Sequence, residues 1–125
     1  MTIQATTLYP FVPSGPSFPL ALGFFGALGF TVEWQYEGIA GLRFGGAYFI
    51  LQEADIPEWQ TNQMVTFEVT DLEAYWHELD AKQLEAAFPG CLMRPPKDFP
   101  WGREMHLTDP GGVCWHVRQS GPSTP

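Results

Sequence analysis

Basic residues are scarce in this chain. Its 125 residues carry 6 Lys and Arg against 14 Asp and Glu, a formal net charge of −8. A polyanionic partner such as nucleic acid needs clustered cations, so the composition excludes that class and favours neutral or cationic small molecules. Cysteine is nearly absent as well. Cys91 and Cys114 form no CxxC pair and no secreted disulfide framework, and they read as two reduced thiols. Long apolar runs are missing: the stretch from Ala40 to Leu51 is broken by Arg43 and by glycines, well short of the roughly 18 residues that suggest a membrane helix. Met1 to Tyr9 has neither a basic start nor an apolar signal core, so a cytoplasmic location is expected. The chain contains no glycine-rich phosphate loop, no G-x-S-x-G elbow and no cysteine adjacent to an activating histidine.

Hydrophobic residues, by contrast, make up 45% of the sequence, including 5 Trp, 4 Tyr and 10 Phe. A chain of this size sustains one core and is too short for two independent ones. A single domain over 1–119 is expected, with a polar, proline-containing tail at 120–125 that frays. Val65 to Val69 alternates with the period of a strand. Asp71 follows as a helix N-cap ahead of Leu72, Tyr75, Trp76 and Leu79 at helical spacing. Beyond Leu84–Ala87, the segment Met93-Arg-Pro-Pro-Lys-Asp-Phe-Pro reads as turn-rich. It precedes a strand from about Arg103 to Thr108, a turn at Asp109-Pro-Gly-Gly112, and a last strand over Val113 to Arg118.

The first half repeats the order. Thr6 to Val12 is extended, Ser17 to Leu28 helical, and Phe30–Tyr36, Ile39–Phe44 and Ala47–Gln52 are short strands punctuated by glycine. Gly23 and Gly26 weaken that helix by about 1 kcal/mol each relative to alanine in an exposed interior, so packing must hold it. The chain therefore reads as an α+β protein built from two βαβββ modules, near residues 6–53 and 64–118.

Three segments carry a resemblance: Phe24-Phe-Gly-Ala-Leu-Gly-Phe30, Val65-Thr-Phe-Glu-Val-Thr-Asp-Leu72 and Leu107-Thr-Asp-Pro-Gly-Gly112. In this order and spacing the chain resembles the glyoxalase and bleomycin-resistance superfamily, the vicinal oxygen chelate proteins. The run Phe99-Pro-Trp-Gly-Arg-Glu104 is similar to bleomycin-resistance proteins in particular. The resemblance implies paired modules forming a curved mixed sheet, a homodimer, and a small-molecule ligand held without chemistry in grooves at the dimer interface. With the acidic balance and the short apolar runs, the expected partners include no nucleic acid and no membrane, and no cofactor is expected.

The same resemblance allows a residue-by-residue test of the metal that enzymes of the superfamily hold. The first-strand histidine position matches Tyr9, its counterpart in the second module matches Met64, and the final-strand glutamate position matches His116. At most one of the three coordinates, so no metal is expected and metal-dependent isomerase, lyase or dioxygenase activity becomes the alternative reading. Glu104 and His106 share one face of the penultimate strand and His116 lies on its neighbour. A cluster there is geometrically feasible, although ordinary cross-strand packing explains these residues equally well. His77 reads as a helix-surface residue.

For a ligand site, the resemblance implies Trp101 as a stacking platform, with Phe99 beside it. Glu33, Trp34 and Tyr36 form an opposing wall, and Gln52 with Tyr48 lies on the groove face of its strand. Ile39 stands where the sandwiching aromatic is expected, so Tyr36 is its substitute, and Thr66 stands in place of a second groove tryptophan. Gly112 completes the set. Glu33, Glu37 and Glu53 would draw a cationic ligand. Arg103 and Glu104 read either as a structural pair at the loop base or as pocket lining.

Overall fold

Hydroxyl and carboxylate caps start the two long helices. A computed structural model describes residues 2–121. Ser17 accepts a hydrogen bond from the Leu20 amide at 3.2 Å and opens α1 (Phe18–Leu28), whose early Pro19 needs no amide donor. Its buried face is Phe18, Ala21, Phe24, Phe25 and Leu28, while Gly23 and Gly26 face outward. Gly29, at φ 113°, ends the helix in the left-handed conformation that glycine adopts freely. Asp71 likewise accepts from the Ala74 amide at 3.0 Å and opens α3 (Leu72–Ala81), which buries Leu72, Tyr75 and Leu79 and leaves His77 exposed.

Each module builds one mixed four-stranded sheet, and the two sheets repeat a single design. The first, in the order β1-β4-β3-β2, consists of β1 (Phe11–Pro13), β2 (Thr31–Tyr36), β3 (Ile39–Phe44) and β4 (Ala47–Gln52). The second, in the order β5-β8-β7-β6, consists of β5 (Met64–Val69), β6 (Leu92–Phe99), β7 (Gly102–Thr108) and β8 (Cys114–Gln119). In both, the module's first strand runs parallel to its last and the other pairs are antiparallel.

One aromatic cluster joins the two sheets. Phe25 of α1, Phe49 of β4, Phe67 of β5 and Trp115 of β8 pack with Phe30, with centroids 4.9 Å apart for Phe25–Phe49 and 5.1 Å for Phe49–Trp115. Burying each such side chain contributes roughly 1.5–3 kcal/mol. The Tyr75 hydroxyl ties α3 to α1 by donating to the Leu28 carbonyl at 2.6 Å.

Three expectations change. The segment expected to be turn-rich is the edge strand β6. Its prolines, Pro95 and Pro96, fall at the irregularity between Arg94 and Lys97, on an edge where a missing amide donor breaks no ladder. The first strand begins at Phe11 rather than Thr6, because only Phe11 to Pro13 find partners on β4. Two short helices are added, α2 (Pro57–Gln60) between the modules and α4 (Leu84–Ala87) inside the second one, between α3 and β6. Of the tail, Ser120 donates its amide to Val69 at 2.9 Å, and residues 122–125 lie outside those described. No helix among the described residues is long and apolar enough to cross a membrane.

Candidate functional site

Strand alternation sorts the second sheet into two faces. Met105, Leu107, Trp115 and Val117 point into the core, so Glu104 and His106 on β7 and His116 and Arg118 on β8 share the opposite face. Cross-strand register then places Glu68, Arg118, Glu104 and Lys97 in one row, and Thr66, His116, His106 and Arg94 in the next.

Glu104 is the centre of this face, with a side chain fully shielded from solvent. Its Oε2 accepts from Trp101 Nε1 at 3.0 Å, from Arg118 Nε at 2.7 Å and from Arg118 Nη2 at 2.6 Å. Its Oε1 meets His106 Nε2 at 2.9 Å and His116 Nδ1 at 3.1 Å. Burial alone would push the carboxyl upward. The hydrogen bonds from His106, Arg118 and Trp101 outweigh it and hold the group down at about 2. Arg103, the next residue, faces away and pairs with Glu73 at 2.5 Å and Asp98 at 3.0 Å. The structural pair considered between Arg103 and Glu104 therefore does not form, since adjacent strand residues project to opposite faces.

Rings continue from this centre to the rim. His106 lies 4.1 Å from His116 and stacks on Phe99 at 5.1 Å, and Phe99 stacks on Trp101 at 5.2 Å with 14° between planes. Trp101 remains 55% exposed, so its outer ring face is available to a planar ligand. A cleft of about 540 Å³ opens beside it, lined by Glu68, Phe99, Trp101, Arg103 and Arg118 among others. A second cleft, about 580 Å³, runs between β4 and β5 over Tyr48, Met64, Thr66 and Phe67, with Leu8 and Pro10 at its margin. Glu68 lines both, so the two adjoin across β5. Each has the size of a small-molecule site.

The residues expected on the opposing wall form a separate cluster on the first sheet. Trp34 donates from Nε1 to the Tyr48 hydroxyl at 2.6 Å, Tyr9 packs edge-on against Tyr48 at 4.8 Å, and the Arg43 guanidinium lies 4.7 Å over the Tyr48 ring. Glu33 is engaged by Arg43 at 2.6 Å, an exposed pair that lowers its value as a lone charge for a cationic ligand. Tyr36, Ile39 and Gln52 are register neighbours at the far end of that sheet. Neither cleft is lined by both Trp34 and Trp101. Gly112 sits apart from both clusters: it belongs to the turn beyond Thr108, against Gln60 and Thr61, with the length of β7, about 20 Å, between it and Trp101. That turn is held by Asp109, which accepts from the Gly111 and Val113 amides and from Trp115 Nε1.

The metal ligands of superfamily enzymes do not fit here. Tyr9 packs on Tyr48 and Met64 offers an exposed thioether, so two of the three matching positions lack the usual histidine. Among the described residues, Glu104, His106 and His116 are the group whose ligand atoms converge, all within 4.8 Å of one another. The sequence named these three residues; what it missed was Arg118, whose strand position opposite Glu104 gave the only hint.

No family model matches the sequence, and no curated protein does. Solved structures do match in fold. A bleomycin-binding protein complexed with bleomycin superposes with a TM-score of 0.80 at 19% identity, over 94% of this chain and 100% of that one. The bleomycin-binding protein of Streptomyces verticillus, complexed with copper(II)-bleomycin, gives 0.78 at 22% identity over 96% and 100%. The fosfomycin resistance protein FosX of Listeria monocytogenes, complexed with Mn(II) and sulfate, gives 0.70 at 11% identity over 95% and 93%. The fold is thus that of the glyoxalase and bleomycin-resistance proteins, with the two-module arrangement the sequence implied.

Proposed function

We propose that this chain is a non-catalytic binding protein that sequesters bleomycin-type antibiotics, or a similar planar aromatic ligand, in grooves completed by a second copy of itself. The observation that carries this reading is the half-exposed Trp101 ring, stacked on Phe99 and fixed by Glu104 at the rim of a cleft. An indole held at both its face and its N–H loses little conformational freedom when a ligand stacks on it, and such stacking adds about 0.5–1.5 kcal/mol beyond area burial. The likeness of fold to two bleomycin-binding proteins supports the ligand class. The second copy is supported by large apolar side chains left exposed outside the clefts' floor, including Phe11, Val32 and Tyr36 on the first sheet. Trp34 and Trp101, on separate sheets of one chain, would then face each other across two chains.

Titration calorimetry with metal-free and copper-loaded bleomycin tests the reading. Submicromolar binding at about one ligand per chain, lost in Trp101→Ala, is expected, as is a dimer by sedimentation. No heat with either form of the drug would end the antibiotic reading.

A further inference from the structure

We propose that Glu104, His106 and His116 form a binding site for a divalent transition-metal cation such as Zn²⁺. The site is separate from the ligand positions of superfamily enzymes, with which it shares His116 alone, and it does not rest on the antibiotic reading.

Both imidazoles aim one ring nitrogen at the same oxygen, Glu104 Oε1, at 2.9 and 3.1 Å, and the two nitrogens lie within 4.8 Å of each other. Ligands about 2.0–2.1 Å from a tetrahedral zinc ion sit roughly 3.3 Å from one another. The three atoms therefore reach a metal-binding triangle by a shift of a few tenths of an ångström on the carboxylate edges and a modest closing of the rings. The backbone favours this: the two histidines are directly opposed on antiparallel strands, and Glu104 lies two residues before His106 on the same face.

The carboxylate is also prepared as a ligand oriented by its surroundings. Arg118 and Trp101 occupy Oε2 and leave Oε1 toward the histidines, which is the arrangement of a ligating carboxylate fixed from behind by outer hydrogen bonds. His106 and His116 keep 25% and 23% side-chain exposure, so an ion reaches the triangle from solvent and open positions remain for water or a ligand donor. Two imidazoles and one carboxylate suit zinc, copper, nickel or iron(II) rather than magnesium or calcium, which prefer all-oxygen shells. Arg94 and Lys97, opposite His106 and Glu104 on β6, oppose diffuse accumulation of cations, so affinity must come from direct coordination.

Zn²⁺ titration of the untagged protein tests this, with His106→Gln, His116→Gln and His77→Gln. The sequence contains 3 histidines, so His77, exposed on α3, is the internal control. About one ion per chain is expected in the unaltered protein and in His77→Gln, with affinity falling at least roughly tenfold in each of the other two. Nitrogen-detected NMR of the unaltered protein gives the same answer without any variant: Zn²⁺ should move the ring resonances of His106 and His116 and leave those of His77 in place. Absence of Zn²⁺ binding, equal affinity in all three variants, or ring shifts confined to His77 overturns the proposal.

Discussion

Trp101 Nε1 donates to Glu104 Oε2 at 3.0 Å, so a half-exposed ring at the cleft is anchored to a carboxylate fully shielded from solvent. Two substitutions separate anchoring from stacking. Trp101→Phe keeps an aromatic face on Phe99 and loses the N–H, whereas Trp101→Ala loses both. Bleomycin affinity should fall several-fold in the first and about tenfold or more in the second, measured by calorimetry. Equal affinities in the two variants would show that ring stacking is irrelevant.

Glu104 links stability to acid. Its carboxyl titrates at about 2 in the folded chain against an ordinary value of 4.5, so its contribution is fully present above about pH 4.5 and fades as pH falls toward 2. Asp109 has the opposite sign. Burial, partly offset by its hydrogen bonds, raises it to about 6, so ionising it costs stability as pH rises from about 4 to 6. The difference in melting temperature between the unaltered protein and Glu104→Gln isolates the first effect. It should shrink between pH 4.5 and 2, and a difference constant across that window would contradict the assignment.

Gly41 has no side chain because Trp34 lies over it. A Cβ at Gly41 would overlap the Trp34 indole nitrogen and come within 2.5 Å of the Tyr48 hydroxyl. Gly41→Ala should break the Trp34–Tyr48 hydrogen bond, displace the indole and cost roughly 1–3 kcal/mol by overpacking. Denaturant unfolding and tryptophan fluorescence read the two consequences; unchanged values in both would mean the indole relocates without penalty.

The turn before β8 depends on one carboxylate. Asp109 serves the Gly111 and Val113 amides and the buried Trp115 indole N–H. Asp109→Ala strips a partner from each and should destabilise the chain by about 3 kcal/mol, since a buried unpaired donor costs roughly 1–3 kcal/mol. Trp115→Phe, which removes one of those donors together with its need, should be milder than Asp109→Ala in the same denaturant series.

Local signals were legible wherever one residue type had one physical use. Ser17 and Asp71 marked helix starts because their oxygens satisfy otherwise unpaired amides. The spans of β3 and β4 followed from short apolar runs between glycine turns. Strand β6 was illegible because Pro95 and Pro96 are poor strand residues everywhere except at an edge irregularity, and edge position belongs to the assembled sheet. The position of Gly112 was illegible for a related reason: its motif neighbours β7 in sequence, and only the assembled strand places it at the end away from Trp101 within one chain.

The order of elements, the two-module repeat and the aromatic motif around Trp101 were determined along the chain, because periodicity, caps and turn residues act over a few positions. The pairing of Glu104 with Arg118 instead of Arg103 was decided only by tertiary structure, as was the meeting of His106 and His116 on one oxygen. Those contacts depend on strand register and on which face the core claims, and both are fixed when Trp115, Phe49 and Phe67 pack together across the two sheets.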